Sequence, residues 1–98
     1  MLYDRKWDMD AAGKLLLDAA DYMDRHGWCT KFFELEDGSV CLVGAIRAVT
    51  HPRAAVERDR VLMRLKRHLG TSAIVDWNDA VCQSKEQAVE ALRAAAFR

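Results

Sequence analysis

The stretch Ser39-Val40-Cys41-Leu42-Val43-Gly44-Ala45-Ile46-Arg47-Ala48-Val49 is apolar on almost every side, with Arg47 its only charge. A surface helix is polar along one face, so a helix without such a face is expected to run through the middle of a fold. The other apolar stripes of the chain must then pack around it. Gly44, Ala45 and Ala48 lack large side chains and would let neighbouring backbones approach closely. The pattern is helical from Ser39–Cys41 to about Thr50, and His51-Pro52 closes it, because the residue before proline avoids the helical region.

Upstream, Asp8 or Asp10 can cap a first helix that runs to about His26. Ala11, Ala12, Leu15, Leu16, Ala19, Tyr22, Met23 and His26 fall on one side of it, and Lys14, Asp18, Asp21 and Arg25 on the other. Gly27 suits the left-handed position past its end. Residues 1–8 read as a lead-in with Trp7 as an anchor. Trp28 to Glu36 is β-compatible, and Asp37-Gly38 suits a two-residue hairpin turn with positive φ at both positions. That register opposes Glu36 to Ser39 and Leu35 to Val40.

Downstream, Pro52 fits the first position of a helix capped by Thr50 or His51 and ended near Leu69 by Gly70. Its apolar face is Ala54, Val61, Leu62, Leu65 and Leu69. Thr71 to Gln83 reads as irregular, with Ala73-Ile74-Val75 its best strand fragment. Ser84-Lys85-Glu86-Gln87 is a capping box that opens a last helix, burying Ala88, Ala91, Leu92, Ala95 and Ala96. The expected architecture is mainly α (α+β by strict counting), with four helices around a buried central one and one short β-hairpin. The 98 residues are expected to form a single domain.

Fifteen basic and fifteen acidic side chains cancel, so no global charge draws the chain to nucleic acid or an acidic membrane. Charge is nonetheless uneven. Asp8 to Arg25 is acidic and Arg53 to His68 is basic, a division expected to neutralise itself internally. The apolar run Val40 to Ile46 is far short of the ~20 residues of a membrane span. The N-terminal residues lack the apolar core of a signal peptide, and three cysteines cannot all pair within one chain. A cytoplasmic chain with free thiols is the expectation.

Three fragments stand in a suggestive order: Gly27-Trp28-Cys29, then Gly38-Ser39-Val40-Cys41-Leu42-Val43-Gly44-Ala45-Ile46, then Trp77-Asn78-Asp79 before a Ser-capped helix. Together, over roughly residues 11–96, they resemble an uncharacterised family of small bacterial and bacteriophage proteins with the order helix, G-W, C-L-x-G-A, W-N-D, helix. The resemblance implies a shared fold and a phage origin, with cytoplasmic location in a bacterial host. It implies no reaction, ligand or catalytic residue.

Cys41 at a helix start is the first chemical candidate, because a helix N-terminus lowers a thiol pKa. A nucleophile also needs a base within hydrogen-bond reach. His51 lies ten residues on, about 15 Å along the same helix, and cannot serve. His26 could, if the end of the first helix folds over the hairpin, with Asp79 to orient it. Against this stands the ordinary reading of Cys41 as a small buried hydrophobe. His26-x-x-Cys29 has ligand-like spacing, and Cys41 with His51 could complete a zinc set. No second short-spaced pair supports it, and Cys82 and His68 lie elsewhere. Neither metal nor cofactor is expected.

Arg53, Arg60, Arg64 and Arg67, bordered by Val56 and Met63, form a stripe that reads as a binding surface or as a solvated face. Nucleic-acid binding through 53–67 is the less favoured use of it, given the zero net charge. Trp77-Asn78-Asp79 reads mainly as structure, Trp77 filling the core and Asn78 and Asp79 bonding nearby backbone in a turn. The expected function is a small non-enzymatic binding or regulatory protein, phage-encoded and acting through a host protein. A thiol-dependent enzyme using Cys41 is the alternative.

Overall fold

A computed structural model describes residues 10–97. The lead-in and the Trp7 anchor lie outside these residues. Asp10 caps α1 (Ala11–His26): its Oδ1 accepts the Gly13 N–H at 2.9 Å, and Gly27, at φ 104, closes the helix through a 2.8 Å bond to the Met23 carbonyl. The buried stripe is Gly13, Leu16, Ala19, Ala20 and Met23, rotated slightly from the expected face. Ala11 and His26, at the two ends, are exposed.

The helix expected at the centre is α2 (Leu42–Val49), capped by Cys41. Leu42, Gly44, Ala45 and Ile46 are buried, but Arg47 and Ala48 face outward. The element at the centre is instead α1, which packs against α5, α2 and α3. Length decides this. Eight residues of α2 extend about 12 Å, against about 24 Å for the sixteen of α1, so α1 offers the longer packing surface, while α2 packs on α1, α3 and the segment Ile74–Asp76.

α3 (Ala55–Leu69) starts later than the sequence suggests. Pro52 sits inside a turn closed by the Ala54 N–H on the His51 carbonyl at 2.9 Å, the second turn position that its fixed φ favours. Thr50 bonds back to Ile46 O at 2.8 Å, serving the end of α2 and not the start of α3. Val61 and Leu65 are buried, and Gly70, at φ 73, ends the helix.

Two expectations are corrected. Ala73-Ile74-Val75 is not a strand fragment: α4 (Ile74–Asp76) is helical and runs on into a π-helical turn (Trp77–Val81), closed by the Cys82 N–H on Trp77 O at 2.9 Å. Burying Ile74 and Asn78 overrides the β-preference of Ile-Val, as tertiary packing commonly does. The hairpin is also absent, and only isolated bridges form among the described residues. Lys31, at φ 72, breaks the extended run. Asp37 does not take the positive φ that a two-residue turn demands; Gly38 alone does, and Asp37 Oδ1 accepts the Ser39 N–H at 2.9 Å and its hydroxyl at 2.6 Å. The register shifts with the turn. Glu34, and not Leu35, stands opposite Val40, while Trp28 bridges Val40 from the other side.

α5 (Lys85–Ala96) starts at the expected Ser84 cap, whose hydroxyl accepts the Gln87 N–H at 3.1 Å. Its alanine-rich face lies on α1, where a Cβ on Gly13 would stand 2.8 Å from the Ala96 carbonyl oxygen. Among the described residues, the acidic and basic segments share one ion pair, a two-bond contact of Arg64 with Asp10 at 2.8 and 2.6 Å. Asp21 and Asp24 pair instead with α5, with Arg93 at 3.7 Å and Lys85 at 3.6 Å. No described helix is long and apolar enough to cross a membrane.

Candidate functional site

Ser39-Val40-Cys41 is flanked on both sides by the loop that precedes it. The Cys29 N–H bonds Val40 O at 3.0 Å, Val40 N–H bonds Gly27 O at 3.0 Å, and the Cys41 N–H bonds Phe33 O at 3.2 Å. Wrapping the loop this closely requires Gly44, because a Cβ there would collide with the Phe33 carbonyl, its carbon being only 2.8 Å away. The close approach expected of Gly44 is therefore to this loop, not to another helix.

Asn78 binds the assembly from below. The π-helical turn points its side chain inward, where it is fully buried. Its Oδ1 accepts the Trp28 indole N–H at 2.9 Å and the Leu42 N–H at 3.1 Å. Its Nδ2 donates to the Cys29 carbonyl at 3.1 Å and to Asp79 Oδ1 at 2.9 Å. Asp79 Oδ1 also accepts the Lys31 N–H at 3.0 Å, holding that residue in its left-handed conformation. That amide and the Asn78 amide draw the Asp79 carboxyl below the usual range. Trp77, expected to fill the core, is only half-buried.

The loop so fixed displays two neighbouring aromatic side chains, Phe32 at 62% and Phe33 at 47% exposure. They form a ridge between two clefts. One, of about 270 Å³, is lined by Lys31, Phe32, Phe33, Cys41, Val75 and Asp79. The other, of about 500 Å³, is lined by Phe32, Phe33, Glu34, Gly44, Arg47 and Ala48, with the Arg47 guanidinium 5.0 Å from the Phe33 ring centre.

Cys41 and Asp79 thus share a cleft, but His26 does not join them. It stacks on Tyr22 at 4.1 Å and lines a separate depression with Asp18, Asp21, Arg25 and Val49. Cys41 Sγ accepts the Gly44 N–H at 3.3 Å and so acts as the cap of α2. Burial pushes its thiol pKa up, against the lowering effect of the Gly44 and Val43 amides. Burial likewise raises Cys29 and Cys82, and all three thiols are free. Among the described residues, no three His, Cys, Asp or Glu side chains come together as a metal site. The His51 ring is engaged by its own turn, its Nδ1 accepting the Arg53 N–H at 3.0 Å.

The arginine stripe is divided. Arg64 is drawn aside to Asp10, and Arg53 lies in the turn ahead of α3. Val56, Arg60, Met63 and Arg67, spaced at helical intervals, share the outer face, with Val56 61% and Met63 59% exposed.

The family of unknown function DUF6197 matches residues 8–98. The chain belongs to that family. No curated protein and no solved structure matches the chain.

The Phe32–Phe33 ridge escaped the sequence reading. Alternation along an extended segment would expose one phenylalanine and bury the other; both are exposed where Lys31 breaks the extended run.

Proposed function

We propose that this family member is a small non-enzymatic binding or regulatory protein, phage-encoded and acting in the bacterial cytoplasm on a host protein. The outer face of α3 is its contact surface. The supporting observation is the alternation along that face of two widely exposed apolar side chains, Val56 and Met63, with Arg60 and Arg67. Neither arginine forms an ion pair among the described residues. Arginine and methionine are favoured at protein interfaces, and exposed apolar groups between them add nothing to a phosphate contact. An acidic surface with apolar side chains about 10 Å apart, two helical turns, fits this face best. The cap role of Cys41 and the place of His26 in a separate depression support this reading over the thiol-enzyme alternative.

The test compares the full chain with an Arg60→Glu/Met63→Glu variant, each carrying a photo-crosslinker at position 67, in bacterial lysate. Crosslinking of one acidic protein by the first and not by the second, with equal melting temperatures, supports the reading. Crosslinking that ignores the substitutions overturns it, as does retention of RNA or DNA on a filter at low salt. Loss of biological effect in a folded Cys41→Ser variant would transfer the function to the thiol.

A further inference from the structure

The aromatic ridge shares no residue with the outer face of α3 and needs its own account. Phe32 and Phe33 stand between a cleft whose rim carries Lys31 and Asp79 and one whose rim carries Arg47 and Glu34. A ridge with a groove beside it is complementary to its own copy turned about a two-fold axis, since each ridge enters the other's groove. We infer that the Phe32–Phe33 ridge and its flanking clefts bind a second copy of this chain, forming a symmetric dimer.

Charge selects this occupant. Each cleft carries one cation and one anion, and none of the four takes part in an ion pair among the described residues. A partner of one sign would leave half of that rim opposed by like charge, which costs binding and suppresses wrong pairings. A second copy supplies both signs. Arg47 meets Glu34 of the second copy, and Lys31 meets Asp79 of the second copy. The chain's net charge is zero, so two copies approach without long-range repulsion.

Size places the contact among weak, transient interfaces. Phenylalanine side chains bury roughly 150–250 Å² each when fully covered, and these two are about half covered already. Four such rings and the walls they cover give a core of roughly 800 Å², at the small end of specific interfaces. The dimer is therefore weak, with a Kd that is micromolar or higher.

Sedimentation equilibrium of the full chain from about 1 µM to about 1 mM spans that range. A concentration-dependent shift from monomer to dimer is expected. Phe32→Glu, at an exposed position, should raise Kd about 100-fold or more while leaving the melting temperature unchanged. Glu34→Lys and Arg47→Glu each oppose like charges at two symmetric points and should weaken the dimer about tenfold or more. Mixed in equal amounts with different fluorophores on their N-termini, these two variants should form a heterodimer tighter than either homodimer. Only a contact between copies restores both pairs in that mixture. A wild-type chain that stays monomeric throughout, a dimer indifferent to Phe32→Glu, or a mixture with no gain over its components would each overturn the inference.

Discussion

Trp28 donates its indole N–H to Asn78 Oδ1 at 2.9 Å, joining residues fifty positions apart. The same oxygen takes the first amide of α2, and the same side chain donates to Cys29 O, so one asparagine ties together three separate segments.

Asn78→Ala would strand the Trp28 indole, the Leu42 N–H and the Cys29 carbonyl. An unsatisfied buried group costs about 1–3 kcal/mol, and water can reach the half-buried Trp28, so a loss of about 3 kcal/mol is expected. At about 4–8 °C per kcal/mol for a domain of this size, melting should fall by more than 10 °C. Asn78→Asp keeps the acceptor but loses both donated bonds and sets a carboxylate beside Asp79, so it should also destabilise. Calorimetry checks both, and a variant melting like the parent would show that the network contributes no stability.

Gly44→Ala tests the close approach of the loop to α2. The new Cβ collides with the Phe33 carbonyl, and backbone there cannot yield without disturbing the Cys41–Phe33 bond. Overpacking of this kind costs about 1–3 kcal/mol, and Gly44→Leu should leave no folded protein. A lowered urea midpoint for the alanine variant, with unchanged slope, is the expected reading.

The thiols should resist modification. Burial raises all three, and the thiolate is the reactive form, so iodoacetamide near pH 7 should label the native chain far more slowly than the urea-unfolded one. The sign at high pH follows. A raised thiol pKa means stability is fully present below the unfolded value of about 8.5 and is lost as pH climbs towards the folded values. Cys41→Ser keeps a cap on Gly44 and should fold, whereas Cys41→Ala loses it at a cost of about 1 kcal/mol.

Acid acts through the opposite shift. The Asp10 carboxyl is lowered by the Gly13 amide and by Arg64, Asp37 by the Ser39 hydroxyl and amide, and Asp79 by the amides of Lys31 and Asn78. A lowered carboxyl contributes stability above its unfolded pKa of about 3.9 and loses it as pH falls through the folded value. Urea midpoints should be flat from neutrality to about pH 5 and drop below about pH 4. Arg64→Ala removes one of the groups holding Asp10 down, so its drop should be shallower.

Signals that act over a few residues were readable. The Asp10 and Ser84 caps, the Gly27 and Gly70 stops and the alanine face of α5 all follow from side chains meeting backbone within one or two turns. Contacts distant in sequence were not. Ile-Val at 74–75 reads as strand until Ile74 is buried, and Asp37-Gly38 reads as a hairpin until Lys31 and the Asp79 carboxylate bend the preceding segment. At the site, Asn78 and Asp79 read as residues that bond nearby backbone in a turn, whereas the backbone they bond belongs to Cys29, Lys31 and Leu42, far away in sequence. The exposed Val56 and Met63 were visible in the α3 pattern. The diversion of Arg64 to Asp10 required knowing where α1 begins.

The left-handed Lys31, pinned by Asp79 and backed by the filled hydrogen bonds of Asn78, has a last consequence for the phenylalanines beside it. Ordering a loop around a ligand ordinarily costs about 1–2 kcal/mol for each residue fixed. Here that ordering is completed when the chain folds. Whatever meets Phe32 and Phe33 encounters a preorganised surface, and the free energy of contact goes into affinity instead of into arresting a moving loop.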